Sequence, residues 1–137
     1  MFEPGENFGW QFPSHTITYD VHDPDAEELL LHEIGHALLG HRDYTYDIHL
    51  VEMERAAWDK AREIAPNFGV MISENDIEDS LDTYRDWLHA RSTCPHCGST
   101  GVQDGKLNFT CLACHYEWHA NEARTCQLRR TSIKKRP

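Results

Sequence analysis

A chain of 137 residues with a net charge of −10, 39% hydrophobic residues and a mean hydropathy of −0.66 has room for one ordinary domain, or for a small domain plus a module. No apolar run is long enough to span a bilayer, and "MFEPGENFGWQF" has neither the basic start nor the apolar stretch of a secretory signal. A cytoplasmic, reducing location is therefore expected, in which the five cysteines serve as metal ligands rather than disulfide partners.

The charge is unevenly placed. Residues 1–93 carry a net −14 and residues 94–137 a net +4. The break coincides with the first cysteine, which suggests a main domain over residues 1–92, a small module over 93–120 and a basic tail over 121–137. The acidic body would repel nucleic acid at long range, while the basic end could hold a phosphate backbone or an acidic partner. The plainer expectation for "RRTSIKKRP" is a disordered, solubilising end.

In chain order, residues 1–14 carry Pro4, Gly5, Gly9 and Pro13 and read as irregular. "HTITYDV" alternates apolar and polar residues with period two, as a half-buried strand does. Asp23 and Pro24 form a helix start, and the periodicity predicts a helix from about Pro24 to Leu39 that stops at Gly40. Asp47 can cap a second helix from about Ile48 to Ala65, ended by Pro66. "NFGVMI" predicts a turn and a short extended piece. Ser73 then caps a third helix to about Ala90, with Ile77, Leu81, Tyr84 and Leu88 as its apolar stripe.

The first helix contains "HEIGH". His32 and His36 are one turn apart on one face, so both rings can reach one zinc ion. Glu33 is rotated by about 100° from His32 and can sit beside the metal as a general base rather than as a ligand. The alternative is a chance match with ordinary buried histidines. A catalytic zinc needs a third protein ligand. His41 lies past Gly40 and reads as a supporting or loop residue. On the second helix the apolar stripe runs through Leu50, Ala57, Ala61 and Ile64, and Glu54 interrupts it. A carboxylate on a buried stripe must be paired or metal-bound, so Glu54 is preferred over His49; an arginine partner is its plainer explanation. Glu52 and Asp59 share a face with Arg55 and Arg62 and read as exposed. Tyr44, Tyr46 and His41 are candidates for stabilising an oxyanion, although simple surface exposure is the preferred reading of each.

"HEIGHALLGH" followed by "ERAAWDKA" resembles the ImmA/IrrE family of gluzincin-type metallopeptidases. That family places a glutamate ligand three residues before one alanine and seven before another, and Glu54, Ala57 and Ala61 match this spacing. Over roughly residues 17–66, the resemblance implies His32, His36 and Glu54 as ligands of a catalytic zinc and Glu33 as the general base. It also implies protein substrates, regulatory proteins such as repressors among them. The sequence departs from the family in having only 31 residues before His32, with one clear strand, and in placing Trp58 where a small polar residue is common.

"CPHC" and "CLAC" set Cys94, Cys97, Cys111 and Cys114 as two knuckles thirteen residues apart, the spacing of a four-cysteine structural zinc ribbon. The intervening "GSTGVQDGKLNF" reads as a hairpin and "HYEWHA" as a further strand; His96, His115 and His119 are spare donors and Cys126 is a lone thiol. The fold expected is α+β, a minimal zincin-like helical domain with one or few strands plus a small β zinc ribbon. Two zinc ions are expected, one catalytic and one structural. The preferred function is an intracellular zinc metalloprotease. An HExxH helix followed by a ribbon is also the arrangement of SprT-like proteases acting on DNA-bound proteins, but those use a His-Gly ligand and His49 is followed by Leu50. A non-enzymatic ribbon module that binds nucleic acid or protein is the third reading.

Overall fold

The computed structural model describes residues 1–133, which form two units. One comprises Met1–Asp43 and Leu50–Leu81; the other comprises Tyr44–His49 and, of the described residues, 82–133. The fold is α+β, with three α-helices and two sheets among the described residues. No helix among them is long and apolar enough to cross a membrane.

The first unit opens with a three-stranded sheet of β1 (Phe2–Pro4), β2 (Gly9–Gln11) and β3 (Thr16–Tyr19). β3 is central, parallel to β1 and antiparallel to β2. The expectation of an irregular start is thus corrected: both neighbours of β3 come from that segment. Three-residue strands are too short to show an alternation, and Pro4 sits on an edge strand, where a missing N–H is tolerated.

Helix α1 (Ala26–Leu39) begins two residues after Pro24, because the Asp23 carboxylate accepts the Asp25 N–H at 2.8 Å and holds Pro24 in a turn before the helix. It stops at Gly40 as expected. Gly40 has φ +64°, its N–H donates to the Ala37 carbonyl, and the His41 N–H donates to the His36 carbonyl at 3.1 Å. That pair of bonds is a Schellman closure.

Helix α2 spans Asp47–Ile64 and runs into a 3-10 turn, Ala65–Phe68, that contains Pro66 and ends at Gly69, φ +67°. Helix α3 spans Glu74–Ser92, two residues beyond the expected end. Ser73 caps it as expected, its hydroxyl accepting the Asp76 N–H at 3.1 Å.

The first unit's core gathers Leu31 of α1, Trp58 and Ala61 of α2, and Ala65, Ile72, Ile77 and Leu81. Where α1 meets α2, small residues let the backbones approach. A Cβ on Gly35 would collide with the Ala57 carbonyl oxygen, and Ala57 and Ala61 have no exposed surface. Gly35 lies between the two histidines of "HEIGH", so the close approach occurs at the motif itself.

The second unit holds an antiparallel sheet in the order β4 (Gly101–Gln103), β5 (Asn108–Cys111), β6 (Glu117–Ala120) and β7 (Arg130–Ser132). Phe109 and Trp118 stack at its centre, 5.5 Å between ring centroids, with Gly101 leaving room for the indole. β7 lies within the stretch expected to be a disordered basic end: it pairs with β6, His119 opposite Thr131. Residues 134–137 of that stretch lie outside the described residues.

Arg91 ties the second unit together from within. It is 1% exposed and forms an ion pair with buried Asp47. Its other N–H groups donate to the carbonyls of Asn121 and Lys106 at 3.1 Å, and its own carbonyl accepts the Trp118 indole N–H at 3.0 Å. A buried guanidinium with so many partners satisfies the cost of taking a charge out of water.

Candidate metal centre

α1 presents His32 and His36 from consecutive turns, and the α1–α2 approach at Gly35 and Ala57 brings Glu54 to them. His32, His36 and Glu54 are all buried. Glu54 Oε2 lies 2.8 Å from His32 Nε2 and 3.3 Å from His36 Nε2, and the two Nε2 atoms are 3.1 Å apart. Three donor atoms thus converge on one point. Ligands about 2.0–2.1 Å from a tetrahedral cation stand about 3.3 Å from one another, so the triangle fits such a cation after a small expansion. Two imidazoles and a carboxylate are a donor set suited to a divalent metal ion.

The three groups shift one another's protonation. Burial would raise Glu54, but the hydrogen bonds and charges of His32 and His36 outweigh it and hold the carboxyl at about 2. Burial lowers His32, with Glu54 opposing. Burial would also lower His36, yet the hydrogen bond and charge of Glu54, helped by Glu33, raise it. Glu33 does not join the triangle. Burial, opposed by His36 and reinforced by Glu54, pushes its carboxyl up to about 7. A carboxyl near neutrality beside a metal-ligand set is suited to passing protons.

Each histidine is oriented by a different device. The His32 ring stacks on Trp58, centroids 4.2 Å apart and planes 22° from parallel. Its Nδ1 is buried without a hydrogen-bond partner among the described residues. His36 instead meets His41, with the two Nδ1 atoms 2.8 Å apart.

The second cluster is in the other unit. Cys94 Sγ lies 3.7 Å from Cys114 Sγ, and Cys97 Sγ lies 3.5 Å from Cys111 Sγ. These separations rule out disulfides, whose sulfurs bond at about 2.05 Å. They match the spacing of about 3.8 Å for four thiolates around one zinc-sized cation. The two knuckles repeat one geometry. The Gly98 N–H donates to the Cys94 carbonyl and the His115 N–H to the Cys111 carbonyl, each at 3.0 Å. Gly98 and His115 both have positive φ, +79° and +63°. Backbone N–H groups of Cys97 and Cys114 point at the sulfurs of Cys94 and Cys111 at 3.5 Å.

Packed thiols cannot all ionise without a cation. The Ser99 hydroxyl and backbone hold Cys97 down to about 6. The Tyr116 backbone favours ionisation of Cys114, but desolvation and the neighbouring thiols push it up to about 12.

No family model, curated protein or solved structure matches this chain.

The structure brings His32, His36 and Glu54 together, and likewise Cys94, Cys97, Cys111 and Cys114, while His41 lies against His36. His49 is exposed and lies edge-on to Tyr46. Glu52 and Asp59 are exposed, as their face predicted. Tyr44 lies edge-on to Trp87 within the second unit. His96 stacks on Tyr116, and His119 bonds to Asn108. Cys126 is exposed and free.

Sequence reasoning passed over Trp10, whose indole N–H donates to the His41 carbonyl at 3.0 Å. The signal was the aromatic pair Trp10 and Phe12 in a segment read as irregular; Phe12 in turn underlies Arg42, whose guanidinium carbon is 4.1 Å from the ring centroid.

Proposed function

We propose that the chain is a cytoplasmic zinc-dependent metallopeptidase of the gluzincin type, with a structural zinc ribbon in its second unit. The observation that carries this reading is the convergence of His32, His36 and Glu54 within hydrogen-bonding distance of one another. An isolated HExxH match would not require a buried carboxylate from a second helix at the same point. His32, His36 and Glu54 would hold a catalytic zinc, and Cys94, Cys97, Cys111 and Cys114 a structural one. Bound zinc supplies a Lewis acid that lowers the pKa of water to about 7 and polarises a carbonyl. Glu33 takes the proton from the attacking water and delivers it to the leaving amine. Trp58 and Leu31 exclude bulk water from the inner side of the pair of helices, which strengthens each charge interaction there. The ribbon and the basic residues after it serve to dock the protein substrate or a nucleic-acid partner. A regulatory protein is the substrate class that the resemblance suggests. The exposure of His49 counts against the SprT-like alternative.

The test is cleavage of fluorescein-labelled casein by wild-type protein and by Glu33→Gln, each loaded with two zinc ions per chain. Wild-type protein cleaves, and Glu33→Gln is slower by at least about 100-fold with both ions retained. Equal rates, or no cleavage by fully loaded wild-type protein of this or any other unfolded protein offered, would refute the peptidase reading.

A further inference from the structure

We propose that His41 is a positioning residue for the metal centre: its Nδ1 accepts the Nδ1–H of His36, leaving the His36 Nε2 lone pair free for the metal, and Trp10 of β2 holds His41 in place. This rests on the metal-centre reading above and adds to it a residue outside the ligand set.

The placement is specific. On an uninterrupted helix, residue i+5 points about 140° away from residue i. Here Gly40 adopts φ +64° and the His41 N–H returns to the His36 carbonyl at 3.1 Å. The turn carries the His41 ring back against the His36 ring, 5.1 Å between centroids at 66°. The Trp10 indole N–H fixes the His41 carbonyl from the other side at 3.0 Å, and Trp10 is itself fixed opposite Ile17 in the sheet. Strand β2, the Schellman turn and the ligand thus form one connected chain of contacts.

Counting protons then sets the direction. Two Nδ1 atoms 2.8 Å apart have room for one hydrogen between them. If His41 donated to neutral His36, the His36 proton would sit on Nε2, facing His32 and Glu54, and no lone pair would be left for a cation. If His36 donates, Nε2 is free and His41 carries its own proton on Nε2. A cation at the three-donor point therefore selects the second arrangement. This is how outer partners of metal-bound histidines fix tautomer and ring orientation. His32 has no such partner among the described residues, so the arrangement is particular to His36.

The experiment is competitive titration of the full-length chain with zinc against a chromophoric chelator, repeated with cobalt(II). The cobalt thiolate bands of the four-cysteine site are read separately from the weaker bands of the histidine site. His41→Ala is expected to weaken the histidine site by about 10- to 100-fold while leaving two ions per chain at saturation. His41→Asn, whose side-chain carbonyl can accept the same N–H, restores most of that affinity. Trp10→Phe, which keeps a ring but lacks the N–H, gives a smaller loss.

A His41→Ala titration identical to wild type would overturn the proposal, as would Asn binding no better than Ala. Loss of the second ion from His41→Ala even at saturation would make His41 a ligand and overturn the positioning role. A wild-type chain that takes up only one ion would refute the metal centre itself, and this role with it.

Discussion

Gly35 lies against the backbone of Ala57, with no space for a side chain between them. That contact sets how closely α1 and α2 pack, and Glu54, one turn before Ala57, reaches His32 because of it. Gly35→Ala is expected to force the helices apart, at a cost of about 1–3 kcal/mol. It should also weaken metal binding at the histidine site, since a displacement of one Cβ width separates the donor atoms. Chemical denaturation and a zinc titration of the same variant measure both effects. Unchanged values in both would show that the close approach does not build the site.

Arg91 and Asp47 form a buried ion pair in the second unit, with Arg91 also gripping three backbone carbonyls. Removing one partner of such a pair leaves the other charge buried without compensation. Arg91→Ala should destabilise the fold by about 3–5 kcal/mol, measured by urea unfolding followed through tryptophan fluorescence. A cost below about 1 kcal/mol would mean that the pair is dispensable.

His115 occupies a left-handed conformation at the position where the first knuckle has Gly98, and its side chain is exposed. A non-glycine residue is disfavoured there. His115→Gly is expected to stabilise the second unit by about 0.5–1 kcal/mol, with zinc content unchanged. Loss of an ion from this variant would instead show His115 to be a ligand.

Much of this site is visible in the sequence because its residues violate a strong pattern. His32 and His36 interrupt a leucine-rich helix at one-turn spacing, and Glu54 interrupts an apolar stripe that is itself buried at Ala57 and Ala61. The paired cysteines announce their cluster by spacing alone. What stays hidden depends on distant partners. β1 and β2 are strands only because β3 pairs with them on both edges, and three residues carry no periodicity. Asp47 reads as a helix cap, but its carboxylate turns to Arg91, 44 residues later, while its N–H donates to the Gln103 side chain at 2.9 Å. Arg91 stands three residues before the first cysteine, with nothing in its neighbours to signal burial, and is almost wholly buried. His41 is legible as a residue near the site, but its contact with His36 requires the reversal at Gly40.

His32, His36 and Glu54 are expected to hold a metal ion distinct from the one in the four-cysteine cluster. Zinc content per chain, measured by elemental analysis on wild-type protein and on Glu54→Ala after equilibration with zinc and desalting, separates the two sites. Two ions in the wild type and one in Glu54→Ala are predicted. A single ion in both, bound by the cysteines alone, would refute a metal ion at the histidine site.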